Sequence, residues 1–145
     1  MVTIHPQAAA LTLTSGWDTV RLTLHVLAAT IWVGGQLVML GLLPTARTMG
    51  GDATKALARA FARLSWPAFA VLVLTGFWNL AALHGSPKSS GWSAVMGVKF
   101  LLVALAGIGA WIHGRATSRA ALGAWGSIAG TASVLALIAG VMLAG

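Results

Sequence analysis

Four long runs of apolar residues, separated by short polar segments, dominate the pattern along the chain. They cover about residues 20–43, 64–83, 92–112 and 125–143. Each run has roughly the 20 residues that an α-helix needs to cross the hydrocarbon core of a bilayer. Because lipid offers the backbone no hydrogen-bond partners, we expect helices rather than strands. The pattern therefore predicts an all-α fold in which residues 1–145 form one membrane domain, an antiparallel bundle of four transmembrane helices.

The composition excludes a soluble globular protein. Only 8% of the residues are charged and the mean hydropathy is +0.88, whereas soluble domains carry about 25% charged residues. The N-terminus has no basic segment leading into an apolar core, and the first apolar run is long enough to span the membrane. We therefore expect a multi-pass protein that contacts the lipid bilayer and has no cleavable signal peptide.

The net charge of +7 is distributed unevenly between the polar segments. The segment between runs two and three holds a single basic residue, Lys88, and the other two segments hold six. These six are Arg47, Lys55, Arg59, Arg63, Arg115 and Arg119. By the positive-inside rule the two basic segments face the cytoplasm, which predicts both termini outside, in the cytoplasmic membrane of a prokaryote. Membrane orientation explains the charge, so nucleic acid is not expected as a partner.

The first basic segment is expected to be helical in part. Lys55, Arg59 and Arg63 are four residues apart and so share one face of a helix. A helix of this kind lies along anionic lipid headgroups. Pro44 precedes the segment and is predicted to end the first helix, because proline cannot continue the backbone hydrogen-bond ladder.

Other side chains are expected to hold the bundle together. Gln36 and Asn79 are uncharged polar groups within runs and predict hydrogen bonds between helices. Asp18 and Arg21, at the outer end of the first run, predict a local ion pair. The last run carries small residues four apart, which allow close approach within the bundle or in a homodimer. They are Ala132, Ala136, Gly140 and Ala144.

Two ionisable side chains lie inside predicted spans, where such residues are costly and point to function. At 1.5 Å per residue, His25 lies about 7 Å inside the first run and Lys99 about 10 Å inside the third. Met96 precedes Lys99 by one turn on the same face. His84 and Met142 lie near the same outer membrane surface. We expect His25, His84, Met96 and Met142 to converge in the outer third of the bundle.

These residue types suit two ligands. Imidazole and thioether groups bind copper in a protein without cysteine, with His25 and Met96 as core ligands and His84 and Met142 as supporting ones. The same groups serve as axial ligands of haem iron. Lys99 would repel a bare cation but pair with a haem propionate. The alternatives are structural: a hydrogen bond within the bundle for His25, packing for the methionines, and an interfacial position for Lys99 and His84.

No catalytic constellation is present in the sequence. Asp18 and Asp52 are the only acidic residues, and there is no paired carboxylate, no Ser-His-Asp set and no phosphate-binding loop. We therefore predict no catalytic residues, and a non-enzymatic role is favoured. The enzymatic alternative is a haem-dependent oxidoreductase.

Three stretches together resemble the copper-resistance D (CopD) family of membrane proteins. The stretch LHVLAATIWVGGQLVMLGLLP resembles the family's first helix, in which a His is followed by a Trp-x-Gly element. RAFARLSWPAFAVLVLTGFWNLAAL resembles the basic entry to its next helix, with a later Thr-Gly. GVKFLLVALAGIGAWIHGRATSR resembles its Lys-bearing helix and basic cytoplasmic turn. The region from the first stretch to the last, residues 24–119, is about two-thirds of the chain, and the resemblance implies a role in copper handling or transport.

The same superfamily holds the HemJ-type four-helix protoporphyrinogen oxidases, which bind haem b. That family has a His on helix one, a Pro on helix two, and a Lys followed by a His on helix three. His25, Pro67, Lys99 and His113 occupy comparable places. This resemblance implies a haem site that involves His25, Lys99 and His113.

Three functional hypotheses follow from the sequence. The first is a CopD-like protein that binds or transports copper through a His/Met site. The second is a haem b protein that transfers electrons or acts in the haem pathway. The third is an accessory subunit that packs against a larger membrane complex.

Overall fold

The computed structural model describes residues 15–144, so the features predicted for the N-terminal segment before Ser15 lie outside the described residues. Within them the chain forms four helices, each long and apolar enough to cross a membrane. They are α1 (Gly16–Thr48), α2 (Gly51–Ala82), α3 (Ser90–His113) and α4 (Arg119–Met142). Residues 15–144 contain no strand. The predicted all-α, four-span fold is confirmed, and the protein is a multi-pass membrane protein.

Successive helices run antiparallel, which gives the bundle two distinct ends. We call one of them the basic end. It holds the turn at residues 49–50, the loop at residues 114–118 and the six basic residues of the predicted cytoplasmic segments. The opposite end holds the start of α1, the loop at residues 83–89 and the end of α4. All candidate ligands except His113 belong to the half of the bundle nearer the opposite end.

Serine side chains fix where three of the helices begin. The hydroxyls of Ser15, Ser89 and Ser118 accept hydrogen bonds from the backbone N–H groups three residues later. Such caps satisfy N–H groups that have no partner in the first helical turn. α2 instead follows Gly50, whose φ of 105° is accessible to glycine and strained for other residues. The turn between α1 and α2 is therefore only two residues long.

The helical prediction for the first basic segment is confirmed, and the prediction for Pro44 is wrong. α2 starts at Gly51, so Lys55 and the arginines after it are helical. Pro44 lies inside α1, which continues to Thr48. Proline fixes φ near the helical value. It lacks the N–H for one backbone hydrogen bond, and its ring crowds the preceding turn. Near the end of a helix that loss is small enough for the helix to continue.

α1 changes its winding near the middle of its length. Thr30–Gly34 form a π-helical segment, with one more residue in its turn than an α-helix has. Trp32 and Val33 in this segment are buried, whereas most of α1 on either side is exposed or half-buried. The extra residue rotates the following part of α1 relative to the preceding part. The π segment is also where α1 contacts α4.

The bundle consists of two hairpins, α1–α2 and α3–α4. α3 and α4 approach closely, because a Cβ on Gly109 would lie only 3.2 Å from the backbone nitrogen of Ala129. In the predicted row of small residues, Gly140 is half-buried and Ala144 is exposed, whereas Ala132 and Ala136 belong to a set of five buried small residues on α4. The five are Ala129, Ala132, Ser133, Ala136 and Ala139. Phe69 against Gly107, and Phe77 stacked on Phe100 at 5.6 Å, join α2 to α3.

Candidate functional site

α1 and α2 are joined by a ladder of polar side chains near the opposite end. Arg21 donates from Nη1 to Asn79 Oδ1 at 2.6 Å and from Nη2 to Asp18 Oδ1 at 2.8 Å. One turn deeper, His25 Nδ1 lies 2.8 Å from Thr75 Oγ1. The predicted ion pair and the predicted interhelical bond of Asn79 are both confirmed. The ladder holds the His25 ring at a fixed height on α2.

The hydroxyl of Thr75 determines which nitrogen of His25 carries the proton. Thr75 Oγ1 lies 2.7 Å from the carbonyl oxygen of Val71 and 3.2 Å from that of Leu72, and donates its single hydrogen there. The same oxygen must then accept from His25, so Nδ1 carries the hydrogen and Nε2 keeps its lone pair. Gly76 leaves room for the ring, whose Cε1 lies 3.5 Å from the place of an added Cβ. His25 is thus an oriented imidazole with a lone pair available.

Lys99 extends the site onto the second hairpin. Its Nζ lies 3.2 Å from where a Cβ on Gly140 would be, so the ammonium lies against the α4 backbone at a position without a side chain. The ammonium is also within electrostatic range of the His25 ring. Between residues 15 and 144 the only ion pair joins Asp18 to Arg21. No carboxylate therefore neutralises Lys99 within this part of the chain.

The four residues of the predicted copper set differ in their exposure. Met96 is half-buried and lies one turn from Lys99 on α3. Met142 is 64% exposed, because it follows Gly140 by two residues and therefore faces about 200° away around α4. His84 is exposed and follows Thr75 by nine residues, about 13 Å along the helix direction. His84 and Met142 thus occupy exposed positions, and the convergence of all four residues stays a prediction.

His113 lies at the basic end, far from His25. It follows Lys99 by 14 residues on the same helix, which is about 21 Å. Its Nδ1 lies 2.9 Å from the carbonyl oxygen of Leu122, and its ring is 3.0 Å from the place of a Cβ on Gly126. His113 therefore ties the end of α3 to the first turns of α4, and the structure does not bring it to His25 and Lys99.

A second polar cluster lies in the middle of the bundle. Trp32 Nε1 and Gln36 Nε2 both donate to Ser133 Oγ, at 3.0 and 3.2 Å. Ser133 Oγ in turn donates to the carbonyl oxygen of Ala129 at 2.7 Å. The predicted interhelical bond of Gln36 is confirmed. Every hydrogen-bonding capacity of the serine hydroxyl is used, and its bonds to Trp32 and Gln36 join the two hairpins.

Sequence reasoning missed two of the residues that organise these clusters. Thr75 and Ser133 are small hydroxyl residues in apolar runs, where a hydroxyl commonly bonds to its own helix backbone. The signal available for Thr75 was the following Gly76, which marks a place where another side chain approaches the backbone. Ser133 is flanked by the small residues of α4, and that setting indicates a close contact between helices.

Protein groups alone do not assemble a metal site of His, Cys, Asp and Glu in the part of the chain that the structure describes. No three such side chains lie close enough together to hold an ion. For a ligand at His25, the candidate groups are the Nε2 nitrogen of His25, the thioether of Met96 on the face of Lys99, and the ammonium of Lys99. These groups suit a ligand that combines a metal with an anionic substituent.

Comparisons with protein families, curated proteins and solved structures find no match for this chain. The resemblance to the CopD and HemJ-type families therefore stays a prediction from the residues that carry it.

Proposed function

We propose that the protein is a haem b-binding membrane protein, in which His25 Nε2 is an axial ligand of the iron and Lys99 pairs with a propionate. The observation that carries the proposal is the orientation of His25. Its Nδ1 is committed to Thr75, and the lone pair of Nε2 faces away from that bond. Histidines that bind metals are oriented in the same way, by a hydrogen bond on the other ring nitrogen.

Lys99 favours haem over a copper ion. A bare cation bound to His25 would be repelled by the ammonium, since no carboxylate in the described residues offsets its charge. A haem brings its own anionic propionates, and a propionate paired with Lys99 makes a charge-assisted hydrogen bond. When bound, haem supplies one-electron redox chemistry, and the chain supplies an oriented ligand, a counter-charge and an apolar surrounding. This chemistry supports electron transfer or a step of the haem pathway.

Copper binding is the second candidate, and one observation favours it. Met96 lies on the same face of α3 as Lys99, one turn away, and is half-buried. A thioether in that place, with the free nitrogen of His25, gives a two-coordinate donor pair that suits Cu(I). In this case Lys99 would weaken the site.

The visible absorption spectrum of the purified protein tests the proposal. We expect a Soret band as purified, or after haemin is added to the ligand-free protein, and we expect His25→Ala to abolish it. His113→Ala is the matched control, because that histidine also bonds within the bundle but lies at the basic end. A Soret band that survives in His25→Ala would refute the proposal.

Metal analysis of the purified protein distinguishes copper binding from haem binding. A colourless protein that retains about one copper per chain, and loses it when His25→Ala and Met96→Leu are combined, would replace haem with copper. A protein that binds neither and is stable only with a partner would favour the accessory role.

A further inference from the structure

We propose that a groove between α2 and α3 at the basic end binds one anionic phospholipid, with the lipid phosphate on Arg115 and an acyl chain along the groove. This site is separate from the haem proposal, because it lies at the other end of the bundle. The groove has a volume of about 380 Å³ and is lined by Ala62, Trp66, Ala110, Trp111, Gly114 and Arg115.

The walls of the groove are two indoles that other contacts hold in place. On α2, Trp66 packs edge-on against Trp32, with ring centroids 5.8 Å apart, and against Phe69 at 6.0 Å. On α3, Trp111 forms the other wall. The Trp66 and Trp111 side chains are 38% and 50% exposed, so both walls open towards the surroundings of the bundle. An acyl chain can therefore enter the groove from the membrane.

A cation lies at the rim of the groove. The guanidinium carbon of Arg115 is 3.8 Å from the centre of the Trp111 ring. This stacking contact fixes the guanidinium beside the indole while its N–H groups stay available for an anion. The only ion pair between residues 15 and 144 is at the opposite end of the bundle. The positive charge of Arg115 is therefore not neutralised by a described carboxylate.

The basic face of α2 adds charge close to the same place. Arg59, Ala62 and Trp66 are spaced i, i+3 and i+7, so they follow one stripe along α2. Ala62 and Trp66 line the groove, and Arg59 continues the stripe beyond it towards the basic end. The stripe thus adds a cation on the α2 side to the one that Arg115 provides on the α3 side, and basic pockets between transmembrane helices bind lipid headgroups.

The composition of the groove favours a phospholipid over a free phosphate. One of its six lining residues is charged, and the rest are alanine, glycine and tryptophan. A small anion gains nothing from the apolar walls, whereas a phospholipid buries part of an acyl chain there and places its phosphate at the rim. Because a phospholipid and free phosphate share the same phosphate group, a binding experiment must distinguish one from the other.

Native mass spectrometry of the protein in detergent micelles tests the site. Dioleoyl phosphatidylglycerol and dioleoyl phosphatidylcholine are titrated separately, and inorganic phosphate is added as a competitor. We expect preferential retention of one phosphatidylglycerol. Arg115→Gln should lower its retention about fivefold, which is the effect of one basic residue near an anionic headgroup. Arg119→Gln is the matched control, with the same charge change in an exposed residue outside the groove.

A second variant tests the apolar part of the groove without changing the charge. Ala62→Leu places a larger side chain in the groove and should also lower phosphatidylglycerol retention, with helicity by circular dichroism unchanged. Equal retention of the two lipids, or an equal loss in Arg115→Gln and Arg119→Gln, would overturn the proposal. Displacement of the lipid by inorganic phosphate would also overturn it and indicate a small-anion site instead.

Discussion

Two polar clusters lie within the membrane-spanning part of this protein, and they differ in whether their hydrogen bonds are complete. In the central cluster, the Ser133 hydroxyl accepts from Trp32 and Gln36 and donates to its own helix. This hydroxyl therefore has no hydrogen-bonding capacity left. In the other cluster, His25 is held through one nitrogen and keeps a free lone pair on the other, and the charge of Lys99 acts on the same ring. A polar group buried in lipid is costly unless it is paired. The bonds of Ser133 therefore account for the central cluster as structure, whereas the free nitrogen of His25 is the group on which the proposed ligand would bind.

Among the substitutions that test the difference between the two clusters, removing the Thr75 hydroxyl that holds His25 should have the largest effect. Thr75→Val keeps the shape of the side chain but removes the hydroxyl that orients the imidazole. Outer hydrogen-bond partners of metal ligands contribute about 10–100-fold to affinity, so haem should bind that much more weakly in a haemin titration. Thr75→Ser should restore binding. Wild-type affinity in Thr75→Val would show that the tether does not orient a ligand.

Ser133→Ala should damage stability rather than ligand binding. It leaves the N–H groups of Trp32 and Gln36 without an acceptor between the two hairpins, at a cost of about 1–2 kcal/mol in the free energy of unfolding. Titration with sodium dodecyl sulfate, followed by circular dichroism, measures this loss. Ser93→Ala is the control, because Ser93 is exposed and its hydroxyl bonds only to its own helix region. Equal stability of the two variants would contradict a structural role for the cluster.

The sign of the effect at Lys99 distinguishes the two candidate ligands. Lys99→Gln removes a charge near His25 without adding bulk. If a haem propionate pairs with the ammonium, haem affinity should fall about tenfold, because a hydrogen bond to a charged group contributes about 1.5 kcal/mol or more. If the ligand is a copper ion, affinity should rise instead, because a repulsive charge is gone. Binding titrations with haemin and with Cu(I) measure both outcomes.

Gln36→Leu should have the smallest effect. Ser133 would keep its bonds to Trp32 and to the Ala129 carbonyl, and one bond between helices would be lost. Such bonds contribute about 0.6 kcal/mol on average within membranes. The unfolding titration used for Ser133→Ala should resolve this order of effects. A loss of unfolding free energy larger than that of Ser133→Ala would show that Gln36, rather than Ser133, contributes most to the stability of the cluster.

The sequence predicts the helices better than the site. Helix count and type follow from the length of the apolar runs, because lipid leaves the backbone no alternative to internal hydrogen bonds. The ends are less predictable. The serine caps and the helical basic segment extend α2 and α4 beyond their apolar runs, and Pro44 fails to stop α1. At the site, residue types and depths identify His25 and Lys99. They do not reveal which way each side chain faces.

By itself the sequence determined that this chain crosses the membrane as helices. It also determined which polar segments hold most of the basic residues and which few polar groups lie within the apolar runs. Only the tertiary structure decided which of those groups meet. The π segment at Thr30–Gly34 rotates one half of α1 against the other, and packing fixes the rotation of α4. Met142 consequently faces away, whereas Lys99 lies against Gly140 within range of His25. Helix rotation depends on packing between hairpins, and no local pattern in the sequence encodes it.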